Sequence, residues 1–328
     1  MFQRRKALSQ VYAIAIVVVV VVAGVGAYLL GLIPAITSPL NQGSSTTTIH
    51  STTPLPALVQ PSTTKSLNFI YQGYNRTVIV HISKVYDSKK PQPLLFFFHG
   101  GTEIPYQWTT DGFSDVVDEA GGIVVFPWGY YPEGFPYHSF WYPSYLNPKD
   151  NPKKIDDVGF VLEIVYRLKQ QYNVDPDRIY AAGHSNGGSM SFDVGAVCSD
   201  VFAAIAPEGC NVGSRENASA PWIMLPEPKG PVSVIYFGGT SEGYYYGSAT
   251  DKSQRESAEF WAKANGCSMT PQNTTVAWGA RNMIVCKYSG GKLGTEVVSF
   301  GYIGGGHTWE SNAYDLAWDF FMSHPKQH

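Results

Sequence analysis

Apolar residues fall along this 328-residue chain in three regimes. Residues 11–33 form one apolar run without a charged residue, and residues 34–66 are dominated by Thr, Ser and Pro. From Leu67 onward, short strand-like blocks rich in apolar residues recur, among them 94–98, 123–126, 178–182, 202–206, 231–237 and 296–300. The continuous run 94–98 is the pattern of a strand covered on both faces of a parallel sheet. Between them lie stretches with helical spacing, predicted as helices over 157–171, 189–197 and 251–261. Asp156 and Asp157 are placed to cap the first and Asp251 the third. Asp175-Pro176-Asp177 is predicted as a turn before the strand at 178–182. Strands interleaved with helices predict an α/β class. The organisation expected is a terminal segment 1–33, a linker 34–66 and one α/β domain over 67–328.

The 11–33 run is long enough to cross a bilayer. Arg4, Arg5 and Lys6 precede it, and residues 33–64 carry no Asp, Glu, Lys or Arg, so the positive-inside rule places the following chain outside the cytoplasm. An uncleaved single-pass anchor is the favoured reading. The alternative is a cleaved signal peptide, with Ala23, Gly24, Gly26 and Ala27 as small residues near its end. The linker has the composition of a glycosylated stalk or of a bare flexible tether.

Charge narrows the partners rather than the reaction. The chain is at −3, and without Arg4, Arg5 and Lys6 it keeps 20 of its 23 basic residues against 26 acidic ones. A mildly acidic body without a basic run argues against nucleic-acid binding. The four cysteines contain no Cys-x-x-Cys, which disfavours a metal site. Of three possible connectivities, Cys198–Cys210 with Cys267–Cys286 is preferred, consistent with an oxidising compartment. Asn75, Asn217 and Asn273 open glycosylation sequons.

The chemistry concentrates at Gly183-His184-Ser185-Asn186-Gly187, behind the strand-like 178–182 and ahead of a helix. Strand, Gly-x-Ser-x-Gly and helix together form a nucleophile elbow, a turn sharp enough to expose the serine hydroxyl. A serine attacks only when a base takes its proton and an acid holds that base, in the chain order Ser, acid, His for this elbow. His307, in the glycine-rich stretch 304–309 after a strand, is the candidate base; His184, next to the serine in sequence, is expected to be a packed residue. Glu242, after the strand 231–237, is the candidate acid, with Asp251 its competitor. The apolar block 94–98 empties into His99-Gly100-Gly101-Thr102, so N–H groups of Gly101 or Thr102, with that of Asn186, are candidate oxyanion donors. His99 is expected to brace that loop.

Taken jointly, His99-Gly100-Gly101, Asp156 to Phe160, Asp175 to Tyr180, Gly183 to Gly188 and Gly305 to Trp309 resemble the polyhydroxybutyrate-depolymerase family of esterases, which includes feruloyl and acetylxylan esterases. The resemblance runs from about Leu67 to the C-terminus. It implies an α/β-hydrolase fold, hydrolysis of carboxylic esters, and no metal or organic cofactor. Relatives carry His-Gly-Thr-x-Asp at the acid position, where this chain has Gly238-Gly239-Thr240-Ser241-Glu242.

A long aromatic loop follows the strand 123–126, with Trp128, Tyr130, Tyr131, Phe135, Tyr137, Phe140, Trp141, Tyr142 and Tyr145. Loops at the C-terminal ends of parallel strands form the ligand crevice. Trp128, Trp141, Trp309 and Tyr244 are therefore the candidate substrate contacts, against a sugar, a phenolic ring or a polyester. The reading that results is an extracytoplasmic serine esterase acting on feruloyl, acetyl, short aryl or polymeric esters. Its rivals are an acyltransferase or serine peptidase of the same fold, and a catalytically silent glycan-binding surface protein.

Overall fold

The apolar blocks become strands whose successive side chains point to opposite, equally covered faces of one sheet. The computed structural model describes residues 63–109, 112–131, 139–145, 148–278 and 281–328. The apolar run 11–33, most of the linker, and Phe135 and Tyr137 lie outside the described residues; among those described, no helix is long and apolar enough to cross a membrane.

In chain order the elements are β1 (Thr63–Tyr71), β2 (Tyr74–Ile82), β3 (Gln92–Phe98), α1 (Phe113–Ala120), β4 (Ile123–Pro127), α2 (Asp157–Gln171), β5 (Val174–His184), α3 (Asn186–Val197) and β6 (Ala204–Glu208). There follow a two-residue ribbon, β7 (Gly213–Ser214) with β8 (Ile223–Met224), then β9 (Ser233–Gly239), the single turn α4 (Gly243–Tyr246), α5 (Gln254–Asn265), β10 (Gln272–Trp278), β11 (Arg281–Tyr288), β12 (Val297–Tyr302) and α6 (Ala313–Ser323). Ten strands make one sheet in the order β1-β2-β4-β3-β5-β6-β9-β12-β11-β10. The six from β4 to β12 run parallel, and antiparallel strands extend both edges. This is the α/β-hydrolase arrangement.

Two core layers follow from the pleat. Leu94, Phe96 and Phe98 of β3 face one layer with Phe160, Ile164 and Leu168 of α2, Met190 and Phe192 of α3, and Trp261 of α5. Leu95 and Phe97 face the other, against Phe113 and Val117 of α1 and Trp318 and Phe321 of α6. Each buried Phe of β3 contributes about 1.5–3 kcal/mol, which anchors the strand that runs into His99.

Several elements differ from their sequence reading for local reasons. β1 starts at Thr63, inside the expected linker, because its pairing with β2 requires backbone hydrogen bonds rather than an apolar face. The Asp175-Pro176-Asp177 turn lies within β5, where an Asp175 carboxylate accepts the Asp177 N–H at 3.0 Å and the register with β3 shifts. Helix α5 is capped by Ser253 in a reciprocal box with Glu256, not by Asp251. Asp156 does cap α2, accepting from the Gly159 N–H at 2.8 Å. Asp157 instead is fully buried and paired with Arg76 at 2.6 Å.

All four cysteines are free thiols, which corrects the expected pairing. Cys198 is the C-cap of α3, whereas the Cys210 sulfur lies against Gly188 in that helix's first turn. The ten residues between Gly188 and Cys198 rise about 15 Å, and a disulfide needs Cα atoms within about 7 Å. Cys267 packs on Gly291 and Thr295, while Cys286 lies further back along β11, opposite Asn273 and Ser299.

Candidate active site

The nucleophile elbow is built where β5 meets α3. Ser185 takes φ 55° and ψ −118°, a conformation that costs a non-glycine residue about 1–3 kcal/mol. Its neighbours must be glycine for steric reasons: a Cβ on Gly183 would strike the Gly187 carbonyl, and one on Gly187 the Phe98 carbonyl. The Ser185 N–H donates to the Glu208 carbonyl at 2.8 Å, tying the elbow to the end of β6.

The acid and the imidazole arrive from two adjacent strands. β9 and β12 run parallel with Gly239 opposite Tyr302, so the loops that follow them leave at the same rim. His307 Nδ1 and Glu242 Oε2 are 2.6 Å apart. The other carboxylate oxygen of Glu242 accepts the Gly239 N–H at 2.9 Å. Glu242 is 8% exposed, so its orientation is fixed by these two partners. An ionised carboxylate only accepts, which puts the proton on Nδ1 and leaves Nε2 with its lone pair. The imidazole lies over Gly209, the residue after Glu208, and thus beside the segment that holds Ser185. Asp251 is turned away, accepting the hydroxyls of Ser248 and Thr250, both at 2.8 Å.

Across the elbow, His99 is buried and takes part in three short contacts: Nδ1 with the Gly100 carbonyl at 2.7 Å, and Nε2 with the Gly129 N–H at 3.0 Å and the Ser139 hydroxyl at 3.2 Å. Burial pushes its pKa down to about 4, so the ring is a neutral brace. The Thr102 N–H is not free for an oxyanion, because it donates to the Ser139 carbonyl at 2.9 Å. Gly101 remains, and a Cβ there would lie 3.7 Å from that of Asn186. Asn186 is the first residue of α3, where backbone N–H groups have no partner one turn back. Its side chain grips the Trp141 peptide from both sides, accepting the N–H at 2.7 Å and donating to the carbonyl at 3.0 Å.

The candidate substrate contacts divide. Trp309 is 6% exposed and packs against Phe97, Phe113 and Phe237, and Trp141 is 1% exposed with its indole N–H on the His99 carbonyl at 3.1 Å. Both are therefore core residues under the loops, not contacts; large rings beside a site are drawn inward when an apolar layer lies beneath. Trp128 is half-buried against Tyr131. Tyr244 is 40% exposed with its ring 5.8 Å from that of His307. Phe140, 38% exposed, lies over Gly101.

No protein-family model matches the chain. It is 30% identical over 256 residues to feruloyl esterase B of Piromyces equi, covering 75% of this chain and 44% of that protein. It is 27% identical over 135 residues to a poly(3-hydroxybutyrate) depolymerase of Ralstonia pickettii, covering 40% and 23%. Over these stretches the chain is similar to feruloyl esterases and to a polyhydroxybutyrate depolymerase. It spans less than half the length of these two curated relatives. A solved ferulic acid esterase from Anaeromyces mucronatus superposes with a TM-score of 0.52 at 16% identity, over 87% of this chain and 98% of that one, and so shares the fold.

Two further acids stand at the elbow that the sequence pattern did not single out. Glu103 accepts the Gly100 N–H at 2.7 Å and the Trp108 indole N–H at 2.9 Å, with its other oxygen 3.1 Å from His184 Nδ1. Glu208, 1% exposed, ends β6 beneath the serine. Burial first, and the neighbouring carboxylates of Glu242, Glu103 and Glu310 after it, push its pKa well above the usual carboxylate range. His184 is packed, as expected of it, but packed against His307, with ring centroids 4.8 Å apart. A lone Glu after an apolar strand carries no spacing signal, so nothing in the sequence marks Glu208.

Proposed function

We propose that the domain is a serine esterase that hydrolyses carboxylic esters through an acyl-enzyme. Ser185 attacks the ester carbonyl as His307 Nε2 takes its proton, and Glu242 holds the Nδ1–H and stabilises the imidazolium. The N–H groups of Gly101 and Asn186 receive the oxyanion; one such donor is worth about 3 kcal/mol. His307 then protonates the leaving alcohol, and water repeats the sequence on the acyl group. The observation that carries this reading is the 2.6 Å Glu242–His307 contact set beside a serine at φ 55°.

Tyr244 and Phe140 support an ester with a ring near the scissile bond, the chemistry named for the feruloyl esterases among the relatives. An extracytoplasmic site of action rests on the 11–33 run and its flanking charges and draws nothing from the cysteines. The three sequon asparagines, Asn75, Asn217 and Asn273, are all exposed and compatible with it.

The test is turnover of p-nitrophenyl acetate, methyl ferulate, acetylated xylan and a polyester film. Ser185→Ala and His307→Ala are each expected to abolish turnover on every ester the protein accepts, and Glu242→Gln to lower it by about 10⁴-fold or less. Turnover surviving Ser185→Ala overturns the reading.

A further inference from the structure

Glu208 and His184 present each other with a chemical problem. Neither oxygen of the buried Glu208 carboxylate has a hydrogen-bond partner, and neither does His184 Nε2. Yet that nitrogen lies 3.3 Å from Glu208 Oε2. The Glu103 carboxylate on His184 Nδ1 fixes the tautomer with its proton there, so Nε2 offers a lone pair. With Glu208 ionised, two acceptors would face each other in a buried space, so a proton or a cation must lie between them.

His307 completes the arrangement. One ligand atom from each of His184, Glu208 and His307 lies within 4.8 Å of the others. Its Nδ1 is engaged by Glu242, again leaving Nε2. Both imidazoles thus carry a carboxylate on Nδ1, the outer-shell pattern that orients metal-binding histidines and raises their basicity. Two neutral imidazoles and one carboxylate form a three-ligand set for a borderline divalent ion, with a fourth position open. His307 is 37% exposed at its side chain, which leaves an entry path.

We propose that His184, Glu208 and His307 form a binding site for a divalent transition metal of the Zn²⁺ type, and that an ion there occupies Nε2 of His307 and silences it as a base. The ion takes the place of the proton that the buried Glu208 carboxyl otherwise holds or shares with His184, and it links the level of free metal to the activity of the serine. Only the silencing rests on the esterase reading; the binding does not.

The experiment uses the full chain, stripped with EDTA, and Zn²⁺ as the probe. Calorimetry is expected to show one saturable ion per chain, and Co²⁺ to give the visible bands of a four- or five-coordinate site. Ser185→Ala is expected to retain both, although inactive. His184→Gln, Glu208→Gln and His307→Ala, each checked for folding by circular dichroism, should weaken Zn²⁺ by about tenfold or more, the scale typical even for outer-shell partners. Hydrolysis of p-nitrophenyl acetate should fall as Zn²⁺ saturates and return with EDTA. Absence of saturable binding, or binding that Glu208→Gln leaves within threefold, overturns the site and leaves a proton shared between Glu208 and His184. Binding without inhibition overturns the silencing alone.

Discussion

Gly209 offers a sharp test of how the imidazole is held. It has φ +61°, and a Cβ placed on it would lie 2.6 Å from Cε1 and 2.7 Å from Nδ1 of His307, and 3.5 Å from Glu242 Oε2. Carbon atoms in contact prefer about 3.5–4.0 Å, so Gly209→Ala must displace the ring by about 1 Å. Moving Nδ1 that far from a 2.6 Å contact carries it beyond hydrogen-bonding range. A misplacement of about 1 Å can cost 10²-fold in rate, equivalent to about 2.7 kcal/mol of transition-state stabilisation. The left-handed backbone adds a separate penalty of about 1–2 kcal/mol to stability, which shifts Tm by a few degrees and leaves the domain folded at 25 °C. The two effects are read separately, as kcat/KM on p-nitrophenyl acetate and as a thermal melt. A melt lowered by a few degrees with kcat/KM within threefold of wild type would refute the seating of His307 over Gly209.

Three other outcomes are expected. Arg76→Leu strands the buried Asp157, which also accepts the Tyr142 N–H at 2.9 Å; urea unfolding should show a loss of about 3–5 kcal/mol, much of it recovered in Arg76→Leu/Asp157→Leu, and a loss below 1 kcal/mol would argue against the pair. His99, held down to about 4, makes stability fall as pH drops from 6.5 towards 4, because the unfolded chain then binds the extra proton. Asp193, pushed up to about 6 chiefly by burial, does the opposite, favouring the folded state as pH drops from 6 towards 4. Asp193→Asn should therefore steepen the acid loss by about 1.4 kcal/mol per pH unit over that range, and parallel wild-type and variant profiles would count against it. Denatured without reductant, the protein should titrate four thiols; two would restore a disulfide.

The parts of the fold legible in the sequence are those written in consecutive apolar residues. The block 94–98 is the body of β3, 123–126 that of β4, and helix α2 spans 157–171 as its periodicity predicts. What escapes is structure held by backbone pairing alone. Every residue of β10 is exposed, and it pairs only with β11, so no side-chain pattern distinguishes it from a loop. Helix starts fail similarly at short range. Asp251 and Ser253 are both acceptable caps, and the choice falls to Ser253 because Glu256, three residues on, can reach back.

The chemistry divides along the same line. Glycines and the serine at the elbow are legible because their constraint is local: the chain cannot turn there with a Cβ at Gly183 or Gly187. Aromatics in a loop are not, because burial depends on what lies beneath. Trp141 and Tyr244 look equivalent in sequence, yet Phe98 and His99 draw the first inward while nothing comparable covers the second. Glu208 is the limiting case. As a residue ending an apolar strand it looks in sequence like any other strand terminus, and its meaning comes from the chain segments that meet beside it. Those segments bring Glu103, His184, Glu242 and His307 to within a few ångströms of one another. Such a concentration of carboxylates and imidazoles is costly in a desolvated site unless protons or cations are shared among them. The elbow's electrostatics are therefore a property of the assembled rim, and substitutions at Glu103 or Glu208 should alter the behaviour of His307 although neither touches it by hydrogen bond.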